Sequence, residues 1–362
     1  MKKFLALTLA LCLCFGLLAC GGGEEPAETP GATEPAKVED DGIMKILMIG
    51  HSLGNDSTFM LPDIARQNGV ENLVMGVIYH SGCRLGQHVS YLEDNQSQYA
   101  YYEFDISGEQ KYWLRADRDG NFTDYDATMT NDEFIGEKGD GPIAQTMQFG
   151  IQRHDWDIVV MQAGVFEAAN VVDGGYSPNF AADIKTIQDY VLENDIEKGS
   201  TPKFVWNMTW ACPSDIMTYG NKFYGDNTGS NFGGDTDKMY EAIAATAKDV
   251  VAPAHDWAHI IPSGTALHNA RAKYGPRELY RDFIHVNDFG RAIVGYTWFY
   301  TLFGKNIEEC NIAPIDSALL LDNLMRNTGK SLELTEEQKA VLIESVKNAM
   351  ANPYAVTASQ IQ

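Results

Sequence analysis

One serine lies at a position in the chain where its hydroxyl could act as a nucleophile. Ser52 directly follows a short apolar run that is predicted to form the first strand of the domain, and a helix is expected after it. The positive end of that helix would stabilise an alkoxide and a neighbouring oxyanion. The alternative is that Ser52 only caps the helix, and the turn alone does not separate the two interpretations.

The groups that could activate this serine lie near the other end of the chain. Asp282 and His285 are three residues apart and precede a stretch that is predicted to be helical. A neutral imidazole can take the proton of a serine hydroxyl, and a carboxylate fixes the tautomer of that imidazole. Taken alone, such an Asp–His pair is more typical of a protein surface. Together with Ser52 it predicts nucleophilic catalysis.

The elements that must position these residues alternate between strand and helix. Apolar runs rich in Val, Ile and Met predict buried parallel strands at residues 43–49, 72–79, 157–162, 204–209 and, more weakly, 257–261. Apolar residues three or four apart predict helices at residues 58–68, 143–153, 180–194, 236–251, 291–303 and 335–350. This alternation predicts an α/β layer fold with a parallel sheet.

Residues 99–135 have a different pattern, in which Tyr and Trp alternate with polar residues around Asp119 and Gly120. The pattern predicts an inserted antiparallel hairpin. A calcium loop is the alternative, because Asp117, Asp119 and Asn121 are all oxygen donors. The glycine is at the wrong place for an EF-hand, so the hairpin is favoured.

The order of the motifs resembles that of the SGNH, or GDSL-like, hydrolases. It is closest to bacterial members that have been catalogued largely as a domain of unknown function. The resemblance covers residues 43–304 and rests on IGHSLG at 49–54, SGCRLGQH at 81–88, WDIVVMQ at 156–162, WNMTW at 206–210, PSGTA at 262–266 and RDFIHVNDFGR at 281–291. It implies a three-layer flavodoxin-like fold with a central parallel sheet, and serine-dependent ester hydrolysis without a cofactor.

The resemblance assigns a role to each matching residue. Ser52 would be the nucleophile, His285 the base and Asp282 the acid that orients the base. The backbone N–H groups of Ser52 and Gly82 would form part of the oxyanion hole. By analogy, the substrate would be an acyl ester, such as an acetyl group on an extracellular carbohydrate.

The sequence departs from the family pattern at two positions. His51 precedes the serine, where the family usually has Asp or Asn, and we interpret it as a hydrogen-bonding support for the turn. The third block has Phe166 where the family has an Asn that donates to the oxyanion. The amide of Gln162 could replace that donor, or it could be a buried amide without a catalytic role.

Two other functions compete with this interpretation. Residues 50–54 also match the G-x-S-x-G turn of α/β-hydrolases, but that turn comes after several strands, and its acid and histidine usually lie on separate loops. The second competitor is a non-catalytic lipoprotein that binds a glycan or solute in the same cleft. The missing Asn donor leaves this non-catalytic alternative possible.

The N-terminus predicts export and lipid anchoring. Residues 1–19 have the layout of a signal peptide, with an apolar run at 4–18 that is shorter than the ~20 residues of a membrane span. Leu17, Ala19 and Cys20 resemble a bacterial lipobox, which implies lipid on Cys20 at the outer face of a membrane. Residues 20–42 predict a flexible acidic linker, and 43–362 the hydrolase-like domain with C-terminal helices at about 316–350.

The composition excludes several other classes of function. Asp and Glu number 50 against 27 Lys and Arg, a net charge of −23, so nucleic acid is not an expected partner. Beyond residue 20, the remaining cysteines Cys83, Cys212 and Cys310 allow at most one disulfide. They form no C-x-x-C pair or Cys/His cluster, and we expect neither a metal nor another cofactor.

Overall fold

The computed structural model of the chain describes residues 42–106, 113–124, 145–171, 178–196, 201–213, 232, 234–275, 278–315 and 331–361. All of these residues belong to the unit Gly42–Gln362. The predicted signal peptide, Cys20 and almost all of the linker lie outside the described residues. The same is true of residues 107–112 and 125–135 of the predicted hairpin segment, and of residues 316–330.

The sheet has a parallel centre, because its strands are the buried apolar runs of the sequence. The five strands of this centre are β1 (Met44–Gly50), β2 (Leu73–Tyr79), β6 (Ile158–Met161), β7 (Lys203–Asn207) and β8 (His259–Ile261). They are parallel, in the spatial order β2-β1-β6-β7-β8. This is the flavodoxin-like order, in which the strand order reverses beside β1.

Three antiparallel strands extend the sheet beyond β2, so that the described strands form one eight-stranded sheet. They are β3 (Ala100–Asp105), β4 (Leu114–Ala116) and β5 (Phe122–Asp124). The turn between β4 and β5 has Gly120 at φ +80°, and its Asp117 carboxylate accepts the N–H groups of Asp119 and Asn121. The predicted hairpin is therefore confirmed in the described part of its range, as an extension of the main sheet.

Helices flank the sheet and pack in groups, as the three-layer prediction requires. The helices are α1 (Ser52–Thr58), α2 (Leu61–Gln67), α3 (Leu85–Leu92), α4 (Met147–Ile151), α5 (Val165–Ala169), α6 (Phe180–Asn194), α7 (Thr236–Ala245), α8 (Ser263–Ala270), α9 (Asp288–Phe303) and α10 (Glu336–Ala351). In one group α9 contacts α1, α2, α8 and α10, and in another α6 contacts α3 and α4. A π-helical segment, Thr246–Val251, and a short turn of helix, Ala252–Ala254, continue α7.

The three-layer α/β fold is confirmed, but the first helix differs from its prediction. The sequence predicts one helix at 58–68, whereas the chain is helical from Ser52 and breaks at Phe59 and Met60 before α2. Pro62 lies at the start of α2, a position where proline is tolerated because no intrahelical N–H bond is lost. Gly54 and Ser57 are weak helix formers, and burial in the fold makes their segment helical nonetheless.

Candidate active site

Ser52 lies at the carboxyl end of the central strand β1, where the first turn of α1 begins. His51 is the N-cap of α1, and its Nδ1 accepts the N–H of Leu53 at 3.4 Å. Ser52 is thus the first residue of the helix, where the backbone N–H groups have no acceptor inside the helix. The predicted position at the positive pole of a helix is observed.

His285 reaches the serine from the loop before α9. Its Nε2 lies 2.7 Å from Oγ of Ser52, and its Nδ1 lies 2.6 Å from Oδ2 of Asp282. Because a carboxylate only accepts hydrogen bonds, Nδ1 carries the proton and Nε2 is left as the acceptor for the serine hydroxyl. The structure thus brings together the serine, histidine and aspartate that the sequence predicted, in the order required of a nucleophile, a base and an orienting acid.

The carboxyl group of Asp282 is held ionised by its surroundings. Its other oxygen, Oδ1, accepts the N–H groups of Ile284 at 2.9 Å and His285 at 2.8 Å. Burial by itself raises the pKa of Asp282, but the hydrogen bonds and charge of His285 and the N–H of Ile284 lower this pKa to about 2. Asp282 therefore remains an acceptor for Nδ1 of His285 throughout the neutral range.

A cavity that is open to solvent surrounds the serine hydroxyl and the imidazole of His285. It lies outside the carboxyl ends of β1, β2 and β6, where the strand order reverses and α/β folds bind their ligands. Much of its wall is apolar. The residues that line it are His51, Ser52, Leu53, Ser81, Gly82, Arg84, Gly164, Val165, Phe166, Glu167, Phe283, Ile284 and His285.

Gly82 lies in the wall of this cavity, in the turn after β2. Its φ of +60° is in the left-handed region that favours glycine. The family resemblance assigns its N–H, with that of Ser52, to the oxyanion hole, and both residues lie on the same cavity. Their role as oxyanion donors remains a prediction.

Gln162 lies beneath the site, and the structure does not place it in the cavity wall. Its Oε1 accepts the amide of Asn207 at 2.9 Å in the buried interior. A methyl group added at Gly50 or at Gly54 would come within 3.3 Å of its Nε2, so these two glycines make room for the amide. This position corrects the oxyanion assignment of Gln162 and matches the alternative of a buried amide, although its partner is a side chain.

His51 is buried behind the serine and is neutral at physiological pH. Burial and, to a smaller degree, the charge of the neighbouring His285 lower the pKa of His51 to about 4, while the carbonyl of Ala163 acts in the opposite direction. Its Nδ1 caps α1 through the N–H of Leu53. These contacts agree with the predicted supporting role and leave His285 as the imidazole that reaches Ser52.

Glu167 is a site residue whose contribution the sequence did not reveal. It lies in the third block, on α5, and its carboxylate oxygens accept the N–H of Leu85 at 3.2 and 3.3 Å. Glu167 thereby ties the third-block segment to the start of α3, three residues after Gly82. The sequence marked residues 166 and 167 only as a departure from the family pattern. The available signal was an acidic residue within the otherwise apolar segment at residues 165–169.

Other cavity residues follow from the motifs already described. Phe283 and Ile284 lie between Asp282 and His285, so that the motif supplies both the predicted catalytic pair and part of the apolar wall. Among the described residues, no group of three His, Cys, Asp or Glu residues is placed to hold a metal ion. No helix in this part of the chain is both long and apolar enough to cross a membrane.

The sequence defines the family to which this chain belongs. Residues 137–330, more than half of the chain, match the family described as "Domain of unknown function (DUF4886)". The chain is a member of that family. No curated protein matches its sequence.

A solved structure from the same family has a similar fold. The crystal structure of a DUF4886 family protein from Bacteroides uniformis is 21% identical, with a TM-score of 0.63, and the match covers 87% of this chain and 97% of that one. A catalytic mutant of an acetylxylan esterase from Geobacillus stearothermophilus is 11% identical, with a TM-score of 0.36, covering 71% and 92%. A lipase from a goat rumen metagenome is 9% identical, with a TM-score of 0.34, covering 70% and 95%. The last two likenesses are too distant to bear on function.

Proposed function

We propose that this protein is a serine-dependent ester hydrolase of the SGNH type. The observation that carries the proposal is the hydrogen-bonded series from Ser52 Oγ through the His285 imidazole to the Asp282 carboxylate, at 2.7 and 2.6 Å, on a cavity open to solvent. A hydroxyl, a base and an orienting acid in this order are what acyl transfer requires.

The reaction proceeds in two acyl-transfer steps. Nε2 of His285 takes the proton of Ser52 as Oγ attacks the carbonyl carbon of the ester, and the N–H groups of Ser52 and Gly82 bind the resulting oxyanion. His285 returns the proton to the departing alcohol, which leaves an acyl-enzyme. A water activated by His285 then releases the acid and restores the Ser52 hydroxyl.

The cavity wall can contact the apolar part of an acyl group. Phe166 and Phe283 supply apolar surface beside the nucleophile, and Phe166 occupies the sequence position of the missing Asn donor. Loss of one oxyanion donor lowers the rate of such enzymes by ~10²–10³. We therefore propose slow ester hydrolysis, and on the family resemblance we propose an acetyl ester of an extracellular carbohydrate as the natural substrate.

The location completes the proposal. The signal-like residues 1–19 and the lipobox at Leu17, Ala19 and Cys20 support a protein that is exported and held by lipid on Cys20 at the outer face of a bacterial membrane. Labelling cells with a radioactive fatty acid tests this part. The label should enter the wild-type protein and be absent from the Cys20→Ser variant.

Hydrolysis of p-nitrophenyl acetate and of acetylated xylan by the whole protein, in an alkyl glycoside detergent without ester bonds, tests the activity. Ser52→Ala should abolish the release of p-nitrophenol and acetate. Ser90→Ala is the matched control, because Ser90 is an exposed serine on α3. Equal activity in the Ser52→Ala variant, or none in a folded wild-type protein, would reject the hydrolase and leave a binding protein on the same fold.

A further inference from the structure

A fully buried carboxylate lies one helical turn after the nucleophile. Asp56 is the fourth residue after Ser52 on α1, and its side chain is 0% exposed. A buried carboxylate is costly unless it is paired and hydrogen-bonded, so the contacts of Asp56 must be specific. The proposed acyl-transfer steps give Asp56 no part in the chemistry.

The carboxylate of Asp56 binds the segment that carries the catalytic base. Its Oδ1 lies 2.8 Å from a guanidinium nitrogen of Arg281 and 3.2 Å from Nε of Arg291. Its Oδ2 accepts the N–H of Val286 at 3.2 Å. Arg281 precedes Asp282, and Val286 follows His285, so the carboxylate holds both ends of the catalytic loop.

The loop is closed on itself around His285. The N–H of Arg281 donates to the carbonyl of His285 at 3.0 Å, and the guanidinium of Arg281 also donates to the carbonyl of Val286. On the far side, Nε1 of Trp210 donates to the carbonyl of Ile284 at 2.7 Å. A displacement of Arg281 or Val286 would therefore move the His285 backbone with it.

We propose that Asp56 is a positioning residue that sets the distance between Ser52 and His285. This inference rests on the proposed hydrolase function. Asp56 lies one turn after Ser52 on α1. The ion pairs of Asp56 therefore fix the position of the catalytic loop, which carries His285, relative to the nucleophile. Proton transfer needs Nε2 and Oγ within hydrogen-bond reach, and Asp56 maintains that separation without touching the substrate.

The chain offers a matched control for the charge. Asp288 also pairs with Arg291, at 3.3 Å, but it belongs to the first turn of α9 itself and its side chain is 32% exposed. Asp288→Asn removes one carboxylate from the same arginine and leaves the link between α1 and the catalytic loop intact. Asp56→Asn removes the carboxylate that forms the link.

Steady-state kinetics with p-nitrophenyl acetate provides the first test. In Asp56→Asn, kcat should fall at least tenfold while KM stays within twofold, because His285 serves acylation and deacylation alike. Asp288→Asn should stay within twofold of wild type in both constants. If Asp56→Asn does not fold, Arg281→Lys replaces it, because lysine keeps the charge and loses the guanidinium bridge. A kcat within twofold of wild type in the folded link variant would overturn the proposal.

Nitrogen NMR of labelled histidine provides a second test that needs no turnover. Ser52→Ala should shift the Nε2 resonance of His285 in the otherwise wild-type protein, because their hydrogen bond is lost. The same replacement should cause no shift in the Asp56→Asn background. If Ser52→Ala shifted the Nε2 resonance as much in the Asp56→Asn background as in the otherwise wild-type protein, the positioning role would be refuted. An inactive wild type whose Ser52 response depends on Asp56 would reject the hydrolase function and keep the positioning role.

Discussion

Replacing Asp282 with asparagine should remove nearly all activity while leaving the catalytic loop in place. Oδ1 of Asp282 accepts two backbone N–H groups, at 2.9 and 2.8 Å, and the asparagine carbonyl oxygen would keep this position. The amide NH₂ would then face Nδ1 of His285, where the carboxylate Oδ2 now lies at 2.6 Å. The asparagine NH₂ and the Nδ1–H of His285 would then be two donors facing each other. His285 would therefore change tautomer, so that Nδ1 accepts from the amide and the proton lies on Nε2.

That tautomer cannot take the proton of Ser52. The corresponding change in a serine protease triad lowers kcat by ~10⁴, equivalent to about 5.5 kcal/mol in the activation free energy. We expect a loss of this size in Asp282→Asn, because the two backbone hydrogen bonds fix the orientation of the amide. Asp282→Ala has no such anchor and should also lower the melting temperature by releasing the N–H groups of Ile284 and His285.

The assay is the turnover of p-nitrophenyl acetate at neutral pH, with thermal melting as the test of folding. Asp189→Asn, which alters an exposed carboxylate on α6, is the control and should behave as wild type. If Asp282→Asn kept more than about a tenth of the wild-type kcat, a change of tautomer could not be its effect. The assignment of Asp282 as the orienting acid would then be refuted.

Three further predictions concern the stability of the fold that holds the site. In Gly264→Ala, the new methyl group would lie 2.1 Å from the carbonyl oxygen of Thr209, so urea unfolding should show a loss of about 3 kcal/mol, and an unchanged midpoint would contradict the packing. Asn207→Ala should cost about 3 kcal/mol in the same assay, because the amide is fully buried and hydrogen-bonded to four side chains. Burial lowers the pKa of His88 to about 3, so its unfolded form binds more protons, and its contribution to stability is lost as the pH falls from about 6.5 towards 3. His88→Phe should therefore reduce the dependence of the unfolding free energy on pH by about 1.4 kcal/mol per pH unit between these limits, and an identical pH dependence in the variant would exclude a buried neutral His88.

The parallel strands could be predicted because a strand buried on both faces is a continuous apolar run. The run before Ser52 became β1, and even the weak prediction at 257–261 became β8. The boundary of the first helix could not be predicted in the same way. Gly54 and Ser57 disfavour helix locally, and only their burial between the sheet and α9 makes the segment helical.

That Ser52, Asp282 and His285 would lie together could be predicted because their motifs are local. Asp282 and His285 share one loop, and Ser52 follows a recognisable strand. The direction of a side chain at a strand end is set by tertiary packing, and this is why Gln162 could be assigned to the oxyanion hole when its amide points into the interior. The pairing of Asp56 with Arg281 joins residues separated by 225 positions, which no local pattern reveals.

The antiparallel strand β3 has a consequence for how copies of this protein behave together. It pairs with β2 over six residues, and without it this long apolar strand would form the edge of the sheet. Among the described residues, the strands at the two edges of the sheet are β5 and β8, with three residues each. Exposed strand edges are the usual templates for association between sheets of different molecules. The described sheet offers only short ones, so crowded copies of this protein should resist aggregation through their strands.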